Sequence, residues 1–369
     1  MRNRSLSLSP AGGSLNNAAA PARPPGVTVT STLLVVAIIA GSLIGHFRPE
    51  AGAWLGDRVD HTLLTLVSLL FFGVRFGALV QAVGQMRFLI IPLLANFVLV
   101  PLIGYGVASL FLSGHPLFMV GLIIYFISPC TDWFLGFTRL SGGNVALGTT
   151  LIPLNMIAQL LLYPVYLQLF TRHLVQVEAG TLGDTLLNWF LVPLAIAVVL
   201  HQGGRWLLGK ARFTRVLQVA DQATPWVIAL LVLEIFAANI PVILAHRGVF
   251  AWVLLAVFVF FVLTFLLGEG ISRLFRLRYP EHALLTMTIA ARNAPLMLAV
   301  TMAALPNQPL VYAALVIGML VEFPHLTALR RLLLATRRRR DSLHPLFPTG
   351  RAASAQADDS AASSSSGKS

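Results

Sequence analysis

A thiol, a hydroxyl and a carboxylate occupy consecutive positions at Cys130, Thr131 and Asp132, directly behind Pro129. The thiol is the chain's only one, and thiolate is the protein ligand that soft ions prefer. Asp132 could exchange a proton or meet a cation, and Thr131 could line the same path. A guanidinium and an amide stand together at Arg292 and Asn293, just ahead of Pro295. Glu322 precedes Pro324 by two positions, and Asn155 follows Pro153 by two. Every one of these groups falls in an otherwise apolar stretch. No His-Glu-x-x-His or Gly-x-Ser-x-Gly accompanies them, so the chain is expected not to be an enzyme, with no catalytic residues, no metal site and no cofactor.

Each group also has a plain structural reading. Cysteine is a small apolar residue often buried in helices. Asp132 could pair permanently with an arginine, or lie close enough to the inner face to be solvated. Arg292 could pair with Asp132 or hold an anionic solute, helped by a half-helix N-terminus. Glu322 could ligate a coupling ion or hydrogen-bond to a neighbouring helix, and Asn155 could line a site or join helices as polar glue. Acids within a membrane point to function by default. Asp132 and Glu322 are therefore the expected carriers of a coupling ion or proton.

The elements that must position these groups are membrane helices. Of the 369 residues, 57% are hydrophobic and only 11% charged, with a mean hydropathy of +0.80. A soluble domain carries roughly a quarter charged residues. The net charge of +12 would suggest nucleic acid in a soluble protein, but here it sits in loops and one tail, so no nucleic-acid partner is expected. Taking about 20 residues per span, the apolar runs predict about ten: 28–46, 62–84, 88–112, 116–140, 144–170, 183–202, 224–245, 249–271, 281–304 and 308–334. Residues 1–26 read as a disordered cytosolic N-terminus, 27–336 as the transmembrane domain, and 337–369 as a disordered basic and Ser/Ala-rich tail. Gly204 to Ala211 nearly spells a phosphate-binding loop, but it ends in Ala where magnesium needs Ser or Thr, and it reads as a basic cytosolic loop.

Loop charge predicts that both termini lie in the cytoplasm. The inner segments would hold 20 of the 26 Lys and Arg, while the outer loops hold Arg48, Arg58, Arg172 and Arg247. Arg75 and Glu234 fall in the second and seventh spans and read as a structural ion pair. The fourth and fifth spans follow a plan of polar break, Gly-rich turn and helix with interior proline. The ninth and tenth repeat the break at Arg292 to Pro295 and the proline at Pro324. Five spans separate the copies, so the expected fold is an all-α membrane protein of two inverted five-helix repeats. Paired interrupted helices mark a transporter's midplane site.

Pro129-Cys130-Thr131-Asp132-Trp133, with Phe137-Thr138-Arg139-Leu140 and Gly142-Gly143-Asn144, resembles the fourth span of the arsenite-efflux permeases, a branch of the bile acid:sodium symporter superfamily. Asn96-Phe97-Val98-Leu99-Val100-Pro101, Pro153-Leu154-Asn155 and Glu322-Phe323-Pro324 resemble the family's third, fifth and tenth spans. Ala291-Arg292-Asn293-Ala294 falls where its ninth span breaks. The resemblance covers roughly residues 30–335. It implies a core domain whose broken fourth and ninth helices cross near the membrane centre, moving against a second, panel-like domain. It also implies ion-driven secondary transport at the plasma (inner) membrane, either arsenite efflux by proton antiport or organic-anion transport coupled to sodium or protons. The sequence departs from the family at Ala294 or Pro295, where many members place a carboxylate.

Arsenite efflux is the expected activity, and the partners are a small solute, a coupling ion and the bilayer. Cys130, Thr131, Asn155, Arg292 and Asn293 are the expected solute-binding residues.

Overall fold

The computed structural model describes residues 27–72, 86–131, 133–171 and 192–343. Among them every regular element is a helix. Hydrocarbon demands this, because a helix satisfies each backbone N–H and C=O within one segment. Five helices are long and apolar enough to cross a membrane: Phe88–Leu112, Val145–Phe170, Ala211–Ala245, Arg247–Leu274 and Pro309–Arg337. Large apolar side chains lie exposed on their outer faces, Leu110, Leu161 and Phe258 among them, as on a surface turned to lipid.

The chain opens with α1 (Val27–Phe47), α2 (Pro49–Gly56) and α3 (Val59–Phe72). These pack along α9 (Val192–Ala245). Gly41 and Gly45 let the backbone of α1 meet the carbonyls of Leu233 and Ala237, where any side chain would collide. Within this bundle Thr62 Oγ1 donates to Glu234 Oε1 at 3.0 Å. Arg75, the expected partner of Glu234, lies outside the described residues, as do 183–191 of the sixth span and 73–84 of the second.

Two readings of loops change. The stretch from Gly204 is helical, not a loop, and α9 breaks only at Gly209, whose φ of 71° suits glycine alone. The final helix also runs on to Leu343, past the expected start of the tail at 337. Arginine is a good helix former, and Arg337 stacks 5.3 Å above the Tyr279 ring. Residues 1–26 and 344–369, expected to be disordered, lie outside the described residues.

The second group of helices builds the site. It comprises α4 (Met86–Leu94), a π-helical turn over Ala95–Leu99, α5 (Val100–Leu112), α6 (Pro116–Phe126), α7 (Trp133–Leu140) and α8 (Val145–Thr171). It continues with α10 (Phe250–Leu274), α11 (Tyr279–Ala290), α12 (Ala294–Ala304) and α13 (Pro309–Leu343). The expected fourth and ninth spans are each two short helices, α6 with α7 and α11 with α12. Pro101 lacks the N–H that would bond the Phe97 carbonyl one turn back. The Tyr166 hydroxyl of α8 donates to that carbonyl instead and holds the turn that carries Asn96.

Candidate functional site

Two prolines make the breaks. Pro129 has no N–H to continue α6, and it restricts Ser128 to extended geometry. In the other helix the ring of Pro295 would clash with the carbonyl of Ala291, four residues back. Ala291 is accordingly extended, with φ −81° and ψ 139°, and its carbonyl is released from the helix. The two freed strands of backbone then satisfy each other. Cys130 N–H donates to Ala291 O at 3.0 Å, and Asn293 N–H donates to Ser128 O at 2.9 Å. Pro129 and Arg292 thus face one another in an antiparallel bridge where the interrupted helices cross. Asn293 Nδ2 reinforces it by donating to Thr131 Oγ1 at 3.1 Å.

Arg292 is fully buried at this crossing. Its Nη1 donates to Phe126 O at 2.8 Å, and its Nη2 to Ile289 O at 2.6 Å. Thr288 O and Asn96 Oδ1 lie at 3.3 and 3.5 Å from Nη2. Phe126 ends α6, and Thr288 and Ile289 sit in the last turn of α11. One side chain therefore caps the C-terminal carbonyls of both half-helices, where orphan acceptors and the negative dipole end coincide. Above the guanidinium is the Phe260 ring of α10, 5.8 Å from its carbon, which stacks on Phe126 at 3.9 Å.

Glu322 serves the opposite pole. Its Oε1 accepts the backbone N–H of Arg292 at 2.9 Å, beside the N-terminus of α12, and its Oε2 accepts from the Tyr125 hydroxyl at 3.2 Å. A carboxylate there matches the positive end of the helix dipole. Gly318, one turn earlier on α13, admits Tyr125, because a Cβ on it would stand 2.8 Å from the ring.

Around the crossing lies a polar cluster. Asn96 Nδ2 and Asn155 Nδ2 both donate to Thr288 Oγ1, at 3.2 and 3.4 Å. Asn155 Oδ1, both amide atoms of Gln159 and Arg292 Nε are buried and find no hydrogen-bond partner among the described residues. Unsatisfied buried polar atoms are rare in folded proteins and call for a reason. Gln159 follows Asn155 by one helical turn.

The structure thus brings Cys130, Thr131, Arg292 and Asn293 together at the crossing, joined by Glu322 from α13, and sets Asn155 beside Thr288. Asp132 lies outside the described residues. Sequence reading missed Tyr125, Thr288 and Gln159 as site residues. Helical spacing carried a signal for one of them, since Gln159 lies four residues after Asn155 on the same face of α8. Among the described residues no cluster of His, Cys, Asp and Glu could hold a metal ion.

Residues 62–246, half of the chain, match the pattern of the sodium bile acid symporter family. That stretch includes Cys130, Thr131 and Asn155 and ends before Arg292 and Glu322. A probable chloroplastic sodium/metabolite cotransporter of Oryza sativa subsp. japonica is 27% identical over 182 residues, which are 48% of this chain. The same residues are 42% of the relative, so the match spans less than half of that protein. The half-chain match, with its interrupted helices and apolar surface, makes this a multi-pass membrane protein that belongs to the sodium bile acid symporter family.

Proposed function

We propose that this protein is a secondary transporter that moves a small organic solute, most simply an anion, on a sodium gradient. The observation that carries the reading is the set of buried polar atoms beside the crossing that find no partner among the described residues: Asn155 Oδ1, the Gln159 amide and Arg292 Nε. Such groups cost stability unless a ligand uses them. Interrupted helices crossing at mid-membrane are where transporters bind their cargo. The Oryza sativa relative is a sodium/metabolite cotransporter, which supports the same class of activity. Cys130, Thr131, Asn155 and Asn293 line the proposed solute path, Arg292 offers Nε–H to an anion, and Asp132 carries coupling charge. In this reading Glu322 holds the ninth break open. Two inverted five-helix repeats, about ten spans in all, would place both termini in the cytoplasm at the inner membrane, in keeping with the loop charge.

A second reading, arsenite efflux by proton antiport, is favoured by one observation: the single thiol stands at the crossing itself, with Cys130 N–H bonded to Ala291 O. One thiol gives a weak contact that suits passage over storage. Proteoliposomes decide between them. Sodium-driven accumulation of a labelled bile acid supports the first reading, and proton-driven accumulation of arsenite into everted vesicles supports the second. Accumulation of neither probe under either gradient would sink both.

A further inference from the structure

Among the described residues, the partners of the Arg292 guanidinium are chiefly backbone carbonyls rather than an acid. Its two terminal nitrogens reach Phe126 O, Ile289 O and Thr288 O, and it forms no ion pair with Glu322. These carbonyls are orphaned because the N–H groups that would have bonded them are diverted or missing. Asn293 N–H goes to Ser128 O and Arg292 N–H to Glu322. Three oxygens from two half-helix C-termini surround one guanidinium, each at the negative end of a dipole. In transporters with interrupted helices, carbonyls of this kind coordinate the mobile coupling cation.

We propose that Arg292 is a tethered cation. Its guanidinium permanently fills the position at which the carbonyls of Phe126, Thr288 and Ile289 would otherwise hold a sodium ion, so this point of the crossing takes no free cation. The charge that balances the half-helix ends stays fixed through the transport cycle. Any coupling ion must therefore bind elsewhere, away from these carbonyls. The inference deepens the transporter reading and rests on it. Its test measures cation binding by the folded protein and needs no transport, so failure of one is distinguishable from failure of the other.

The experiment is thermal unfolding of the purified full chain in detergent, with sodium chloride against choline chloride at equal ionic strength. Arg292→Gln empties the position while keeping a polar side chain. It is expected to gain a sodium-dependent rise in melting temperature of about 2–4 °C beyond any response of the wild type. Arg292→Lys keeps the charge and is expected to respond to sodium as the wild type does. Equal sodium responses in wild type and Arg292→Gln overturn the proposal. Should Arg292→Gln fail to accumulate, Arg292→Lys decides. Wild-type accumulation with the wild-type sodium response supports a tethered charge, whereas failure of this variant too, or an added sodium response in it, overturns the proposal.

Discussion

Glu322 meets Arg292 through the backbone: the arginine's N–H donates to Oε1 at 2.9 Å, while its guanidinium is spent on carbonyls of other residues. The two charges share a site without forming an ion pair. Glu322 then acts by accepting two hydrogen bonds, and an amide oxygen can accept the one from the backbone. Glu322→Gln is expected to fold at wild-type level and keep most transport. Glu322→Ala strands a buried N–H and the Tyr125 hydroxyl, and is expected to lose about 1–3 kcal/mol. Melting temperatures of the two variants check this. A Glu322→Gln protein that folds normally but is uncoupled from its ion gradient would return the acid to a coupling role.

Gln159 presents the opposite balance. Its amide is buried and finds no hydrogen-bond partner among the described residues, so the folded state gains little from its polar atoms. Gln159→Leu removes unsatisfied groups at similar volume and is expected to leave the melting temperature unchanged or higher. Transport is expected to fall by about tenfold, the worth of one lost hydrogen bond of ~1.4 kcal/mol to the cargo. Loss of stability with unchanged transport would show that Gln159 is structural.

The Tyr166 hydroxyl replaces the partner that Pro101 removes from the Phe97 carbonyl. Tyr166→Phe leaves that carbonyl without its donor and is expected to cost about 1–2 kcal/mol. The π-helical turn also carries Asn96, which reaches Thr288 and the Arg292 guanidinium. A loosened turn should therefore lower transport together with melting temperature, and Asn96→Ala should do the same. Unaltered stability in Tyr166→Phe would mean that another group satisfies Phe97.

Much of this was legible in the sequence, for local reasons. Pro129 and Pro295 each accompany polar residues within an apolar run, and that pairing of proline with polar groups marks the breaks between α6 and α7 and between α11 and α12. A charge inside such a run had to be buried against protein, which made Arg292 conspicuous. Its partners were not legible, because backbone carbonyls have no identity in a sequence. Asp132, the acid the sequence suggested as a partner, lies outside the described residues, and the orphaned carbonyls of Phe126 and Ile289 appear only once both breaks are set side by side. Tyr125 and Gln159 stayed hidden for a related reason: each is an ordinary helix residue until Glu322 or Asn155 is known to lie beside it. The helix over Gly204 to Leu208 was missed because its glycine and basic residues read as loop.

Cys130 separates the two readings of function. Its backbone N–H, not its thiol, makes the crossing bond to Ala291 O, so Cys130→Ser leaves that bond in place and changes only sulfur to oxygen. The variant is expected to accumulate at wild-type level and keep the crossing intact. If the solute is an organic anion, transport of the bile-acid probe should stay near wild type, since a buried hydroxyl and a thiol differ little in size. If the cargo is arsenite, transport should fall, because a hydroxyl is a hard ligand and trivalent arsenic a soft one. Uptake of both probes by vesicles matched for protein content makes the comparison. Intact arsenite transport in Cys130→Ser would remove the thiol from the mechanism and, with it, the one observation that favours arsenite.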